Sequence, residues 1–218
     1  WNVKQLCREI ALCSTYRQSS LPRDAAWLRE DAENRWFARG PRQRLQAEEV
    51  RDMALAVSGL LSPRVGGPSV KPYQPAGLWE YGGTQHTYVQ GTGEALHRRS
   101  LYTFWRRTMA PPSMTMFDAP TREFCRSRRE STTTPLQSLV LMNDPQFIEA
   151  ARVLAAKLVA EVPGAPEARI ERLFRLLTGK RPTPEEAVTV LKYFRDEEAR
   201  LRAEPDAAAT LLRENGEE

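Results

Sequence analysis

Two histidines, three cysteines and no apolar run of bilayer length leave this 218-residue chain with few of the usual carriers of chemistry. Cys7, Cys13 and Cys125 form no CxxC, no CxxCH and no zinc-type spacing, which removes haem attachment and the common zinc modules from this stretch. At most one disulfide is possible, with a thiol left over; Cys7 and Cys13 would fall on different faces of a helix. His86 and His97 flank a Gly-rich segment outside any HExxH, and neither GxSxG nor a phosphate-binding loop occurs. Spanning a bilayer takes about 18–20 consecutive apolar residues. No such run is present, so no membrane span is expected. The chain also lacks an initiator methionine and a signal-like leader, entering a helical pattern from Trp1, which reads as an excised piece of a longer protein.

What is there is ordinary for a globular protein: 41% hydrophobic and 28% charged residues, with length enough for one domain or two small ones. The net charge of +4 is unevenly spread. Residues 96–131 hold eight arginines against Asp118, Glu123 and Glu130, whereas from Thr132 onward twelve basic residues face fifteen acidic ones. The middle of the chain is therefore locally basic.

Hydrophobic spacing predicts helices on both sides of that middle. Val3, Leu6, Ile10 and Cys13 form one stripe over residues 2–16, and AAWLREDAENRWFA predicts a second helix ending at Gly40-Pro41. Over 46–61, Val50, Met53, Ala54, Val57, Leu60 and Leu61 define a core-facing helix. Later starts are punctuated: Thr134-Pro135-Leu136-Gln137 and Thr183-Pro184-Glu185-Glu186 are capping boxes with proline at the first helical position, and Asp144-Pro145 repeats the cap. Phe147, Ile148, Ala151, Leu154, Ala155 and Leu158 mark one inward stripe, and Ile170, Leu173, Phe174 and Leu177 the next, stopped by Gly179. Val190, Phe194 and Leu201 are predicted inward on a further helix. After Pro205 a short last segment is expected to fray. The fold class is mainly α, a multi-helix domain with a long ordered irregular Pro/Gly/aromatic insertion, divided as 1–61, 62–133 and 134–218 within one domain.

The insertion is the unusual part. Prolines and glycines recur from Ser62 to Ala95, and Tyr73, Leu78, Trp79, Tyr81 and Tyr88 are positioned to anchor it, with a mobile tip expected near Tyr81 to Gly93. The run RRSLYTFWRR follows. Helical spacing would put Arg98, Tyr102, Trp105 and Arg106 on one side; strand spacing would put Arg99, Leu101, Thr103, Trp105 and Arg107 there. Either way guanidinium groups sit beside aromatic rings, a chemistry that grips carboxylate, sulfate or phosphate and stacks on planar faces. The alternative is a rim pairing with Asp118, Glu123, Glu130 and the acidic C-terminal helices, its aromatics in the core. Nucleic acid is disfavoured as a partner by the small net charge and the lack of a helix-turn-helix, RNP or zinc-finger signature. Met114 and Met116 read as gap-filling thioethers rather than haem ligands, there being no CxxCH.

Three stretches carry a family likeness: WNVKQLCREIALCSTYRQSS, NRWFARGPRQRLQAEEVRDMALAVSGLLSPRVGGPSVKPYQPAGLWE, and RRSLYTFWRR through FDAPTREFCRSRRESTTTPLQSLVLMNDPQFIEAARVLA. They resemble planctomycete-specific domain one, a domain of unknown function numbered fifteen-fifty-three, over about residues 1–200. The motifs matched include Gly67-Pro68-Ser69-Val70-Lys71-Pro72-Tyr73, Arg98-Arg99-Ser100-Leu101-Tyr102 and Phe117-Asp118-Ala119-Pro120. The resemblance implies an exported protein, periplasmic or at the cell surface, with this domain near its C-terminal end and a cytochrome-c-like domain often upstream. It implies no activity. Haem c would then belong to a separate upstream domain, with no cofactor expected in this piece.

The expected function is that of an accessory binding or interdomain-contact domain, its partners the upstream domain of the same protein and an anionic glycan. The binding set is Lys71, Tyr73, Trp79, Arg98, Arg99, Tyr102, Trp105, Arg106, Arg107, Arg128 and Arg129, with no metal ligands. The other reading is a composite catalytic or redox site completed by upstream domains, for which Asp118, Glu130 and His97 are the candidates.

Overall fold

The computed structural model describes residues 1–22, 24–81 and 87–213. Contacts divide the chain into two units, Trp1–Leu45 and Gln46–Glu218. Among the described residues there are ten α-helices and no β-strand beyond isolated bridges, which confirms the mainly α reading.

In the first unit Asn2 caps α1 (Val3–Leu12), its side chain accepting from the Gln5 N–H at 3.1 Å. The predicted Val3, Leu6 and Ile10 stripe forms, yet no residue of α1 is buried. The second helix is shorter than predicted. Asp24 caps α2 (Ala25–Glu30), and the chain then turns away at Asp31, whose buried carboxylate accepts from the Arg35 N–H at 2.6 Å and the Trp36 N–H at 3.0 Å. Those amides are thereby satisfied outside a helix. Asn34 and Phe37, with φ of 54° and 52°, complete the reversal.

Gly40 then brings the returning chain against residues 18–20: its N–H donates to the Ser19 carbonyl at 2.9 Å. A Cβ at Gly40 would lie 2.8 Å from the Gln18 carbonyl oxygen, so only glycine permits this approach.

The second unit is built on α3 (Ala47–Ser58) and α7 (Pro145–Glu161), which pack along each other. The buried line of α3 is Ala47, Arg51, Leu55 and Ser58, not the predicted apolar one; Val50 and Ala54 flank the core half-buried. Between them lie the short helices α4 (Leu78–Tyr81) and α5 (Pro112–Thr115) and 3₁₀ turns at Gly93–Leu96 and Ser100–Tyr102. The core joins Ala47 to Met114, Phe117, Ala119 and Phe147, with Phe117 and Phe147 edge to face at 6.3 Å. Met114 thus fills core space, as read from the sequence.

Helix starts in the last third follow their predicted signals. Thr134 and Gln137 close a capping box on α6 (Pro135–Asn143), Asp144 caps α7, and Thr183 with Glu186 closes the box on α9 (Pro184–Ala203). Between the last two, α8 (Pro166–Thr178) ends at Gly179 in the left-handed conformation. Leu154 and Leu158 are buried on α7 as predicted, but Ala151 and Ala155 face outward, the inward places going to Gln146 and Ala150. On α9 Val190 and Leu201 are half-buried and Phe194 is exposed; α10 (Pro205–Arg213) packs against it.

Candidate functional site

Arg51 is the hub of the second unit. Its side chain is almost wholly enclosed, and the planar fork reaches four acceptors: Nε donates to Gln146 Oε1 at 2.7 Å, Nη1 to the Arg98 carbonyl at 2.8 Å and Ser100 Oγ at 3.3 Å, and Nη2 to the Leu96 carbonyl at 2.6 Å. Asp52 beside it accepts from both the N–H and the hydroxyl of Ser100 at 2.7 Å. Two successive residues of α3 therefore fix residues 96–100. Burial pulls the Arg51 guanidinium below its ordinary value, opposed by the charges of Asp52 and Asp144.

From that anchor the Arg/aromatic run turns inward. Ser100–Tyr102 is a 3₁₀ turn and Thr103–Phe104 is extended, with Val70 accepting from Phe104 N–H at 2.7 Å and donating to Tyr102 O at 2.8 Å. Arg98 is buried: its guanidinium donates to the carbonyls of Arg64, Gly66 and Pro68 and lies 3.9 Å from the Tyr102 ring centre, while the Tyr102 hydroxyl accepts from Gly66 N–H. Arg98 and Tyr102 thus hold a loop of their own chain.

Trp79 is equally enclosed, packed against Tyr88 at 5.2 Å and Phe104 at 5.8 Å. Lys71 Nζ sits 5.3, 5.8 and 5.5 Å from the Trp79, Tyr88 and Phe104 ring centres, and Arg106 stacks on Trp79 at 4.9 Å. The cations and rings of the insertion grip one another. Burial pushes the Tyr88 hydroxyl up to about 12, and that hydroxyl donates to the Pro72 carbonyl. Part of the expected mobile tip, residues 82–86 with His86, lies outside the described residues.

Tyr73 and His97 converge on a residue the sequence did not single out. Glu149 of α7 lies 3.1 Å from His97 Nε2, and burial, followed by the charge and hydrogen bond of Glu149, raises the Tyr73 hydroxyl. Tyr73 also lines a half-open groove of about 620 Å³, walled by Pro75, Pro112, Met116, Leu139 and Val140. Asp144 and Ser113 line it too; burial raises the Asp144 carboxyl, while Gln146 N–H and the Arg51 charge draw it down. The enclosed side-chain oxygen of Gln74, another lining residue, meets no hydrogen-bond donor among the described residues. The groove therefore combines apolar walls with hydrogen-bond acceptors, and Gln146, bonded to Arg51, ties it to the hub through Ser113 at 3.5 Å.

The remaining candidates gather elsewhere. Asp118 and Glu130 line a small cleft of about 170 Å³ together with Arg126 and Arg129. Asp118, at φ 62°, accepts from the Thr132 N–H at 2.7 Å and its hydroxyl at 2.8 Å; Glu130 pairs with Arg126; Arg129 forks onto Glu48 at 2.7 and 3.1 Å. Trp105 is held by its indole N–H on the Thr121 carbonyl and by Arg122 at 4.4 Å from its ring. Arg99, Arg107 and Arg128 are exposed. His97 does not join Asp118 and Glu130: its carboxylate partner is Glu149. Among the described residues, no three His, Cys, Asp or Glu side chains gather as a metal site, and no helix is long and apolar enough to cross a membrane.

A family model described as "PSD1: Protein of unknown function (DUF1553)" matches residues 1–194. No curated protein and no solved structure matches the chain.

Proposed function

We propose that this chain, which belongs to the PSD1 (DUF1553) family of proteins of unknown function, is a contact module whose groove receives an extended polypeptide segment, such as a neighbouring domain would contribute. The observation that carries the reading is the groove's composition. Its volume of about 620 Å³ and its Pro75, Pro112, Met116, Leu139 and Val140 walls suit apolar side chains, while Asp144 is an acceptor that a donor-bearing occupant would satisfy. Complementarity thus favours an apolar segment with a central lysine or arginine over an acidic one. The insertion points the same way: Lys71 and Arg106 pack on the Trp79 ring and Arg98 on its own loop, so the predicted clamp is turned inward, although Arg98 Nε and Arg106 Nη1 meet no acceptor among the described residues.

The test uses fluorescein-labelled Pro/Leu peptides, one with a central lysine and one with a central glutamate, titrated against the chain by fluorescence anisotropy. The lysine peptide is expected to bind roughly tenfold more tightly, and Leu139→Glu to abolish its binding. Equal affinities, or binding that survives Leu139→Glu, would overturn the reading.

A further inference from the structure

The charge of the chain, read against its two units, lies in an unexpected place. Residues 1–45 hold nine basic and five acidic side chains, so this segment alone accounts for the net +4, and residues 46–218 balance at twenty-three of each sign. The arginine-rich middle is offset by its own unit. Within the first unit lies a cleft of about 600 Å³, half open, whose lining includes Ser14, Arg17, Gln18, Ser19, Trp27 and Arg39 and, among the described residues, contains no carboxylate. That volume is typical of small-molecule sites.

The geometry points to a binding site for an anionic sugar, a ring bearing a carboxylate or sulfate group. Three features of the lining carry this, independently of the groove in the second unit. First, two arginines line one cleft. Arg39 is fixed there: Asn34 brackets its backbone through Nδ2 to the Arg39 carbonyl at 2.7 Å and through Oδ1 to its N–H at 3.2 Å, and Nη2 donates to the Ala32 carbonyl at 2.7 Å. Asp31 exerts its charge on Arg39 and Arg35, but its carboxylate is buried in its own turn and does not line the cleft. Arg17 is exposed, and no hydrogen bond or ion pair of its side chain is found among the described residues. A fork that is held and a second that is free suit capture of a planar or tetrahedral anion.

Second, the Gln18 side-chain oxygen is enclosed and meets no donor among the described residues. An enclosed acceptor costs free energy until a donor reaches it. Turning the Gln18 amide toward the cleft would let a ring hydroxyl supply that donor, and Ser14 and Ser19 offer further hydroxyl partners on the same lining. Third, Trp27 lines the cleft while remaining about half exposed, at 47%. Its indole presents a flat apolar face with a polar edge, suited to the C–H face of a sugar ring. A bare inorganic anion would use only the first feature; a neutral sugar would use only the other two.

Isothermal titration of the chain with glucuronate, galactose 6-sulfate, neutral galactose, inorganic sulfate and a nucleoside monophosphate separates these ligands. One or both anionic sugars are expected to bind at millimolar concentration or below, and galactose to bind at least tenfold more weakly, as roughly one lost charge-assisted contact implies. Arg17→Ala is expected to cost a similar factor, with Gln18→Ala weakening the sugar acids but leaving inorganic sulfate unaffected. Arg17 is exposed, so its variant keeps the fold, which the circular dichroism spectrum checks. Trp27→Tyr, which keeps a ring, is expected to retain most of the affinity that Trp27→Ala loses. No binding of either anionic sugar, binding indifferent to Arg17→Ala, or tighter binding of the nucleotide would each overturn the assignment. These outcomes are read with Leu139→Glu alongside, which is expected to leave sugar binding unchanged and so keeps a failure here distinct from a failure of the peptide groove.

Discussion

Arg51 Nε and Gln146 Oε1 meet at 2.7 Å inside the second unit, joining α3 to the first turn of α7 across ninety-five positions of sequence. Around that bond the same guanidinium takes the Leu96 and Arg98 carbonyls, so one side chain links both main helices to the insertion. A buried cation of this kind is stable only while all its donors are met.

Replacing it therefore has a defined outcome. Arg51→Lys is expected to lower stability by about 3 kcal/mol, because a lysine ammonium cannot span the fork's acceptors and leaves buried carbonyls unmet. Urea unfolding with an unchanged slope measures this. A loss below about 1 kcal/mol would show that the acceptors find other partners.

Asp144 gives a pH signature. Because burial raises its folded carboxyl above the ordinary 3.8, the folded state holds that proton more tightly than the unfolded one. The stability it contributes is complete below 3.8 and is lost as pH rises through the raised folded value. Asn keeps an N-cap side chain but cannot titrate. The stability of Asp144→Asn relative to the parent is thus expected to increase with pH across that window, followed by thermal melts from acid to neutral; a flat or opposite difference would contradict the burial.

Tyr88 acts at the other end of the scale. Its hydroxyl moves from 10.0 in the unfolded chain to about 12 when folded, burial being the main cause and the Arg51 charge a smaller opposing one. Stability from this group is full below pH 10.0 and falls away as pH rises through about 12. Tyr88→Phe is expected to remove that alkaline loss while costing about 1 kcal/mol at neutral pH for the bond to the Pro72 carbonyl. Tyrosinate absorbance titration and alkaline melts together check it.

Legibility in the sequence followed the range of the interactions. The caps at Thr134–Gln137, Asp144 and Thr183–Glu186 could be read directly, because a cap is settled within four residues. The inward face of α3 could not: periodicity ranks apolar residues, and Arg51 takes the inward line because its acceptors arrive from positions 96, 98 and 146. Asp31 ended the second helix through its side chain, against a pattern that continued to Ala38. In the candidate site, Tyr73 and His97 were named, but the Glu149 that joins them carried no motif. Arginine beside aromatics reads the same whether it grips a ligand or its own loop: Arg98 is enclosed, and Trp79, legible both as an anchor and as a stacking platform, is enclosed as the anchor.

The shared carboxylate has an architectural meaning as well. Tyr73 and His97 lie at the two ends of one stretch of the insertion, so Glu149 closes residues 73–97 into a ring hung from one position of α7. The entropy of closing such a ring grows only with the logarithm of its length, about 0.6 kcal/mol for each doubling. Closure itself would therefore penalise an insertion between those anchors little, and its cost would be set by whether it disturbs the Trp79–Tyr88 packing inside the ring.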